Sequence, residues 1–186
     1  MVWKIGSEPL LFDNHLIFSY CNHNMNSQHL HEVAITAIIE RDGKFLIVRR
    51  SPNKKRFPGM WTVPGGKLET SDYLALSKDT KDYWYNVLER TLNREVQEEV
   101  GLDIHDVQYL TSLATVHGDG NPSLVISCTA KYKNGEIKLQ EEELDQAIWV
   151  TAEEARNYNL IDGILDELTL AEQNRLGKRK EWQRLS

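Results

Sequence analysis

Cysteine is nearly absent from this chain, with two residues, Cys21 and Cys128, in 186. Two thiols so far apart in sequence build no disulfide framework, and a reduced cytoplasmic setting is the expectation. Long apolar runs are missing as well. No stretch approaches the ~20 residues that a membrane helix needs, and no charged-then-apolar leader precedes a cleavage site, so neither membrane insertion nor secretion is expected. Cationic charge is in deficit, since 22 Lys and Arg stand against 28 Asp and Glu for a net charge of -6. That balance disfavours a nucleic-acid polymer as partner, because such binding draws largely on cationic contacts to phosphates. It leaves room for a small phosphorylated ligand, whose charge a few local cations and a metal ion can offset. The 40% hydrophobic content is ordinary for a globular protein, and the length suits one domain with a core.

What the chain does have is a concentration of acid in one place, Arg94-Glu95-Val96-Gln97-Glu98-Glu99-Val100-Gly101-Leu102. Glu95, Glu98 and Glu99 stand at helical offsets i, i+3 and i+4, on one face of a helix. Three like charges there repel one another unless a cation sits between them. Oxygen-only ligation suits a hard divalent ion such as Mg²⁺ or Mn²⁺, and such ions suit pyrophosphate chemistry. Gly101 supplies the left-handed turn that ends the helix.

Periodicity places the surrounding elements. A hairpin is expected over residues 9–21 and a polar linker over 22–29. Val33, Ile35, Ala37 and Ile39 alternate as a strand, Arg41-Asp42-Gly43 turns the chain, and Phe45 to Val48 returns it. A loop from Ser51 to Met60 leads to a strand at Trp61-Thr62-Val63 and a turn at Pro64-Gly65-Gly66. Ser71 to Asp82 reads as a polar loop with room for a short helix. A long helix from Tyr83 to Val100 follows, with Leu88, Leu92, Val96 and Val100 as its packing stripe. A hairpin joins Tyr109–Val116 to Leu124–Tyr132, with His117 as a turn residue and Cys128 as a buried strand residue, and Ala147–Val150 is a short strand. Thr151 and Glu154 form a capping box that starts a helix, and a last helix runs from Ile161 to Leu176. Helices packed on a mixed sheet fit this order, as opposed to a regular strand–helix alternation.

Two pieces, Pro64-Gly65-Gly66-Lys67-Leu68-Glu69 and Arg94 to Leu102, together resemble the Nudix hydrolase family (MutT-like). The family signature is a glycine, five residues, a glutamate, seven residues, then Arg-Glu-apolar-x-Glu-Glu-x-Gly-apolar. Its second half matches at every specified position. The stretches "RFPGMWTVPGGKLE" and "AIWVTAEEA" also look like the family's approach strand and its later strand and helix. The resemblance covers about residues 31–172 and departs from the pattern in one respect. Five residues after Gly66 stands Asp72, not glutamate, and residues 73–93 fill a gap that holds seven in the family, an insertion of about 14 residues. Counting backward from Arg94 instead puts Asn86 at that position. The inserted segment sits beside the site, as a lid or a base-contacting loop.

The resemblance implies an α/β fold, a Nudix-type α/β/α sandwich with a mixed β-sheet and the metal-binding helix after a Gly-Gly loop. It implies one domain over 1–186, with an N-terminal extension at 1–30 and a C-terminal tail at 173–186. It implies hydrolysis of a pyrophosphate bond in a nucleoside di- or triphosphate derivative, of the NTP/dNTP, nucleotide-sugar or ADP-ribose class. By resemblance the metal ligands are Glu95, Glu98 and Glu99, with a backbone carbonyl at Gly65 or Gly66. The cofactor is Mg²⁺, with Mn²⁺ as the substitute. Arg94 pairs with a carboxylate and orients it. Catalytic work falls to Glu95, Glu98 and Arg94, and the base is one of Glu95 and Glu98 or of Glu141, Glu142 and Glu143. Arg49, Arg50 and Arg56 are candidates for phosphate or ribose contacts, and Trp61, with Trp84 and Tyr85, for stacking on a base. A homodimer is the expected assembly, with the two ends as its interface.

Plainer readings stand beside these. Arginines are more often solvated and aromatics more often core. Cys21, His23, His29 and His31 match no common zinc spacing. Lys178-Arg179-Lys180 with Trp182 reads as a solvated helix end. A second reading of the whole is a Nudix domain that senses a nucleotide metabolite without turning it over.

Overall fold

The computed structural model describes residues 30–178. The hairpin expected over 9–21, Cys21, His23 and His29, and the tail beyond Lys178 lie outside those residues. Seven strands form one mixed sheet: β1 (Glu32–Arg41), β2 (Lys44–Arg50), β3 (Trp61–Thr62), β4 (Gly65–Lys67), β5 (Leu102–Val116), β6 (Pro122–Gly135) and β7 (Leu144–Val150). Two short helical turns, α1 (Ser71–Leu74) and a 3-10 turn at Glu154–Asn157, accompany two longer helices, α2 (Val87–Val100) and α3 (Ile164–Arg175). The path runs β3-β2-β1-β6-β5, with β4 on β1 and β7 on β2. Only β1 and β6 are parallel; the other pairs are antiparallel.

Strand alternation divides the core into two layers. Leu46 and Val48 of β2 join Ile35, Ala37 and Ile39 of β1 beneath Leu92, Val96 and Val100 of α2. Their neighbours Phe45 and Ile47 face the other way, with Ile38, and meet Ile164, Leu168 and Ala171 of α3. The α/β/α sandwich is thus present, and the every-fourth-residue stripe of α2 is its packing edge. Burial of this kind makes truncation of Leu92 to alanine cost ~2–5 kcal/mol.

Several boundaries differ from the sequence reading for physical reasons. The long helix starts at Val87, not Tyr83, because Asn86 adopts a left-handed φ of 52°. Gly65 to Lys67 continues past the expected turn as a strand, pairing with Ala34 to Thr36. The β5–β6 hairpin is longer than its alternation suggests, since register breaks at Asp103/Ile104 and His105/Gln108 scramble the period. Thr151 and Glu154 do form a reciprocal capping box, each backbone N–H donating to the other's side chain at 2.8 and 3.1 Å. The box opens only the 3-10 turn, and the last helix waits until Gly163, at φ 91°, has turned the chain. Cys128 is buried as expected, and burial pushes its thiol up to about 11.

The exit of α2 is tied down by backbone. Gly101, at φ 71°, donates to the Gln97 carbonyl, while Lys138 and Gln140 donate to the carbonyls of Val100 and Glu99 at 2.9 and 3.0 Å. The loop carrying Glu141 to Glu143 is therefore fastened to the helix end.

Candidate metal centre

The centre is built where β4 passes α2. Gly65 donates its N–H to Glu99 Oε2 at 3.0 Å. A Cβ on Gly66 would overlap the Glu95 carboxylate, so glycine at that position is what lets the strand come this close. Gly65 needs glycine for a different reason: its φ is 150°, and a Cβ would strike the Ile35 carbonyl and Thr36 of β1.

Glu99 is 7% exposed, and burial pushes its carboxyl up to about 7 despite the Gly65 N–H. The charges of Glu95 and Glu143 push the same way, and Arg50 opposes them. Glu95 is raised by burial too, with Arg94 acting against it. Glu98 is half exposed and accepts from Arg94 Nη1 at 2.9 Å. Among the described residues no three ligand side chains already converge at metal-binding distance, and Arg94 holds one oxygen of Glu98. The donor set still suits a hard divalent cation. It is all oxygen, it lies along an open backbone edge, and it contains a buried carboxylate that ionises readily only beside added positive charge.

Arg94 is the hub. Its Nε donates to Asp72 Oδ1 at 2.6 Å, Nη1 meets Glu98, and Nη2 lies 3.0 Å from Glu95 Oε1. Asp72, whose side chain is 3% exposed, also accepts from Thr91 Oγ1 at 2.8 Å and the Glu69 N–H at 2.9 Å. Burial works against its charge, yet these donors hold it below the usual carboxylate range. The forward count from Gly66 is thus the one the fold uses, and Asn86 only begins the helix. The extra residues bulge out between Asp72 and α2 and bond mainly among themselves. Trp84 Nε1 donates to the Leu76 carbonyl at 3.0 Å, Tyr73 packs on Trp84 with centroids 5.3 Å apart, and Lys78 lies over the indole at 4.9 Å.

The four expected substrate contacts separate. Arg50 has its charge directed at Glu99 and donates Nε to the Arg56 carbonyl at 3.0 Å. Arg56 sits in an ion-pair cluster with Glu32 (2.9 Å) and Asp119 (2.6 Å), and Glu32 also meets Lys67, which follows Gly66, at 3.1 Å. Those cations, Arg56 first, lower Glu32 to about 2. Arg49 and Trp61 belong elsewhere. Arg49 makes a bidentate pair with Asp145, both bonds at 2.7 Å. Trp61, 9% exposed, packs edge-on against Tyr158 in the layer beneath α3, which leaves no free ring face for a base. The sequence reading passed over Lys54, which pairs with Glu143, and Arg90, one turn before Arg94. Both were hidden among ordinary surface cations. Of the three loop glutamates, Glu143 pairs with Lys54 and its charge helps raise Glu99.

The sequence matches the model of the NUDIX domain over residues 29–169. The NAD-capped RNA hydrolase NUDT12 of Homo sapiens is 30% identical over 152 residues, covering 81% of this chain and 27% of its own. The chain thus spans about a quarter of that relative's length. The nucleoside triphosphatase NudI of Escherichia coli K12 is 26% identical over 138 residues, covering 68% of this chain and 86% of its own. Among solved structures, a MutT NUDIX hydrolase from Burkholderia pseudomallei superposes with a TM-score of 0.59 at 21% identity, over 75% of this chain and 97% of its own.

Proposed function

This chain belongs to the NUDIX domain family, and on that premise we propose that it is a divalent-metal-dependent hydrolase cleaving a pyrophosphate bond in a nucleoside di- or triphosphate derivative. The observation that carries the reading is the arrangement of Glu95, Glu98 and Glu99 against the Gly65–Gly66 edge, with Arg94 positioned by Asp72. Names of relatives that act on NAD-capped RNA and on nucleoside triphosphates support the substrate class.

Glu95, Glu98 and Glu99 would hold Mg²⁺ or Mn²⁺, with the carbonyl of Gly66 beside them. The bound cation would neutralise the diphosphate and acidify a water for attack. Glu99 supplies a carboxylate whose orientation the Gly65 N–H fixes. Arg94 keeps the helix carboxylates in place and does not itself meet the substrate. Glu143, tied to Lys54 and electrically coupled to Glu99, serves best as the base among the loop glutamates. Arg50 and Arg56 are the cations this reading assigns to phosphate, Arg56 by exchanging Glu32 or Asp119 for it. The described residues act as one catalytic domain, and its ligand is a small nucleotide.

A sensor that binds without turnover is the competing reading, and what favours it is an aspartate where the family pattern has its first glutamate. Asp72 bonds Arg94, so that objection loses its weight. The test is phosphate and nucleotide release from triphosphates, ADP-ribose, nucleotide sugars and dinucleoside polyphosphates, with and without Mg²⁺. Metal-dependent turnover lost in both Glu98→Gln and Glu99→Gln is expected. Binding without turnover of any compound would overturn the hydrolase in favour of the sensor.

A further inference from the structure

A cavity of about 520 Å³ opens along the outer side of α2, lined by Glu69, Ser71, Asp72, Arg90, Arg94 and Glu98. It joins one candidate metal carboxylate, Glu98, to the root of the inserted segment. Two arginines face it, and their states differ. Arg94 has all three of its nitrogens engaged with Asp72, Glu95 and Glu98. Arg90 is touched only at Nη2, by Asp79 at 3.4 Å to each carboxylate oxygen. Among the described residues its Nε and Nη1 make no hydrogen bond, so Arg90 is the cavity's available cationic donor.

Asp79 comes from the insertion and is held there, its carboxylate accepting the Tyr85 N–H at 2.9 Å and its own N–H donating to the Tyr83 carbonyl at 3.0 Å. The inserted segment therefore presents one carboxylate to one arginine, at a distance loose enough for a better acceptor to take over. Acid also lines the cavity. Asp72 and Glu98 are paired with Arg94, and Glu69 accepts from Ser71 Oγ at 3.2 Å.

From these contacts we propose that Arg90 determines substrate specificity by receiving a phosphate beyond the pyrophosphate that is cut, with Asp79 of the insertion lying against its guanidinium until the phosphate displaces it. The proposal rests on the hydrolase reading above. Arg90 and Glu98 lie eight residues apart on one helix face, ~12 Å along the axis. That axial rise is several times one phosphoanhydride link, which sets the two positions apart along a ligand's phosphates. The group Arg90 meets is a further phosphate on the same ligand, and its guanidinium offers the fork geometry that phosphate accepts. Two ligands carry such a group: a nucleoside triphosphate at its terminal phosphate, and a nucleotide chain at its first phosphodiester.

The test is equilibrium binding of three ligands to the parent chain and to Arg90→Ala and Arg90→Gln, each first shown to melt like the parent. The ligands are an imido-bridged nucleoside triphosphate, ADP-ribose with two phosphates only, and a short oligonucleotide with a dinucleotide cap. The expected result is ~10-fold weaker binding of a ligand with the further phosphate, with ADP-ribose unchanged within about twofold. Loss confined to the triphosphate assigns its terminal phosphate, and loss confined to the oligonucleotide assigns its phosphodiester. Equal loss for all three ligands, no loss for any, or no binding by the parent chain overturns the proposal. Hydrolysis by the parent is scored separately. Binding with the Arg90 selectivity but without turnover would sink the hydrolase and leave the phosphate contact standing.

Discussion

Asp72 and Arg94 meet at 2.6 Å across 22 positions of sequence, and the inserted segment lies wholly between them. That bond closes the inserted loop at its base, beside the Thr91 bond to the same carboxylate and the Gly65 bond to Glu99. It places an aspartate where the family pattern has a glutamate, and the shorter side chain still reaches.

Replacing Asp72 tests the closure. Asp72→Ala strands Arg94, Thr91 and the Glu69 N–H together, for a loss of about 3 kcal/mol in urea unfolding. Asp72→Asn keeps the shape and removes the charge. Turnover is expected to fall ~10–100-fold, as for other partners that orient metal ligands. Unchanged rates in Asp72→Asn would remove Arg94 orientation from the account.

Glu99 predicts a pH dependence. Its carboxyl, ordinarily near 4.5, is pushed up to about 7 by burial. A raised folded value means that the stabilising contribution is complete below about 4.5 and is lost as pH rises through about 7. The amount is on the order of 3 kcal/mol at most. Melting in a chelator should therefore fall from pH 5 to pH 8 more steeply than in Glu99→Gln. Added Mg²⁺ should stabilise the parent more at pH 8 than at pH 5, and equal stabilisation at both would contradict a carboxylate ligand here.

The two adjacent glycines should separate fold from function. Gly65→Ala drives a methyl into the β1 backbone at a φ that alanine avoids, so a loss of ~2 kcal/mol or more is expected. Gly66→Ala meets the Glu95 carboxylate first, the far end of a flexible side chain that can swing away. It should melt within a few degrees of the parent and lose most metal-dependent turnover. If Gly66→Ala were the less stable of the two, this assignment would be wrong.

Trp84 anchors the insertion through its bond to Leu76 and its contact with Tyr73. Trp84→Ala should expose residues 73–86 to limited proteolysis while the global melt moves little, because the segment adds almost nothing to either core layer. A large drop in melting temperature would mean that the insertion supports the domain.

Helix periodicity made α2 and its acidic face legible, with Leu92, Val96 and Val100 fully buried, and strand alternation gave the β1 residues beneath it but not the second layer around Ile38. Contacts closed over distance were not legible. Nothing local distinguishes Asp72 from Asn86 as the partner of Arg94 until the chain folds back. The Arg49–Asp145 pair spans 96 positions, and composition could not separate Arg49 from Arg50 beside it. Trp61 looked like a stacking platform because an aromatic near a glycine loop has the same sequence appearance whether it faces ligand or core. β5 was cut short because its bulges erase the alternation that announces a strand.

The two ends of α2 differ in how much change they tolerate. At the entrance, the Asp72–Arg94 bond closes the loop at its base, so segments of other lengths can be spliced there while the helix carboxylates keep their places. At the exit, the backbone bonds from Lys138 and Gln140 to Val100 and Glu99 leave no such slack. New binding preferences can be grafted upstream of the helix, and the loop bearing Glu143 has to be inherited whole.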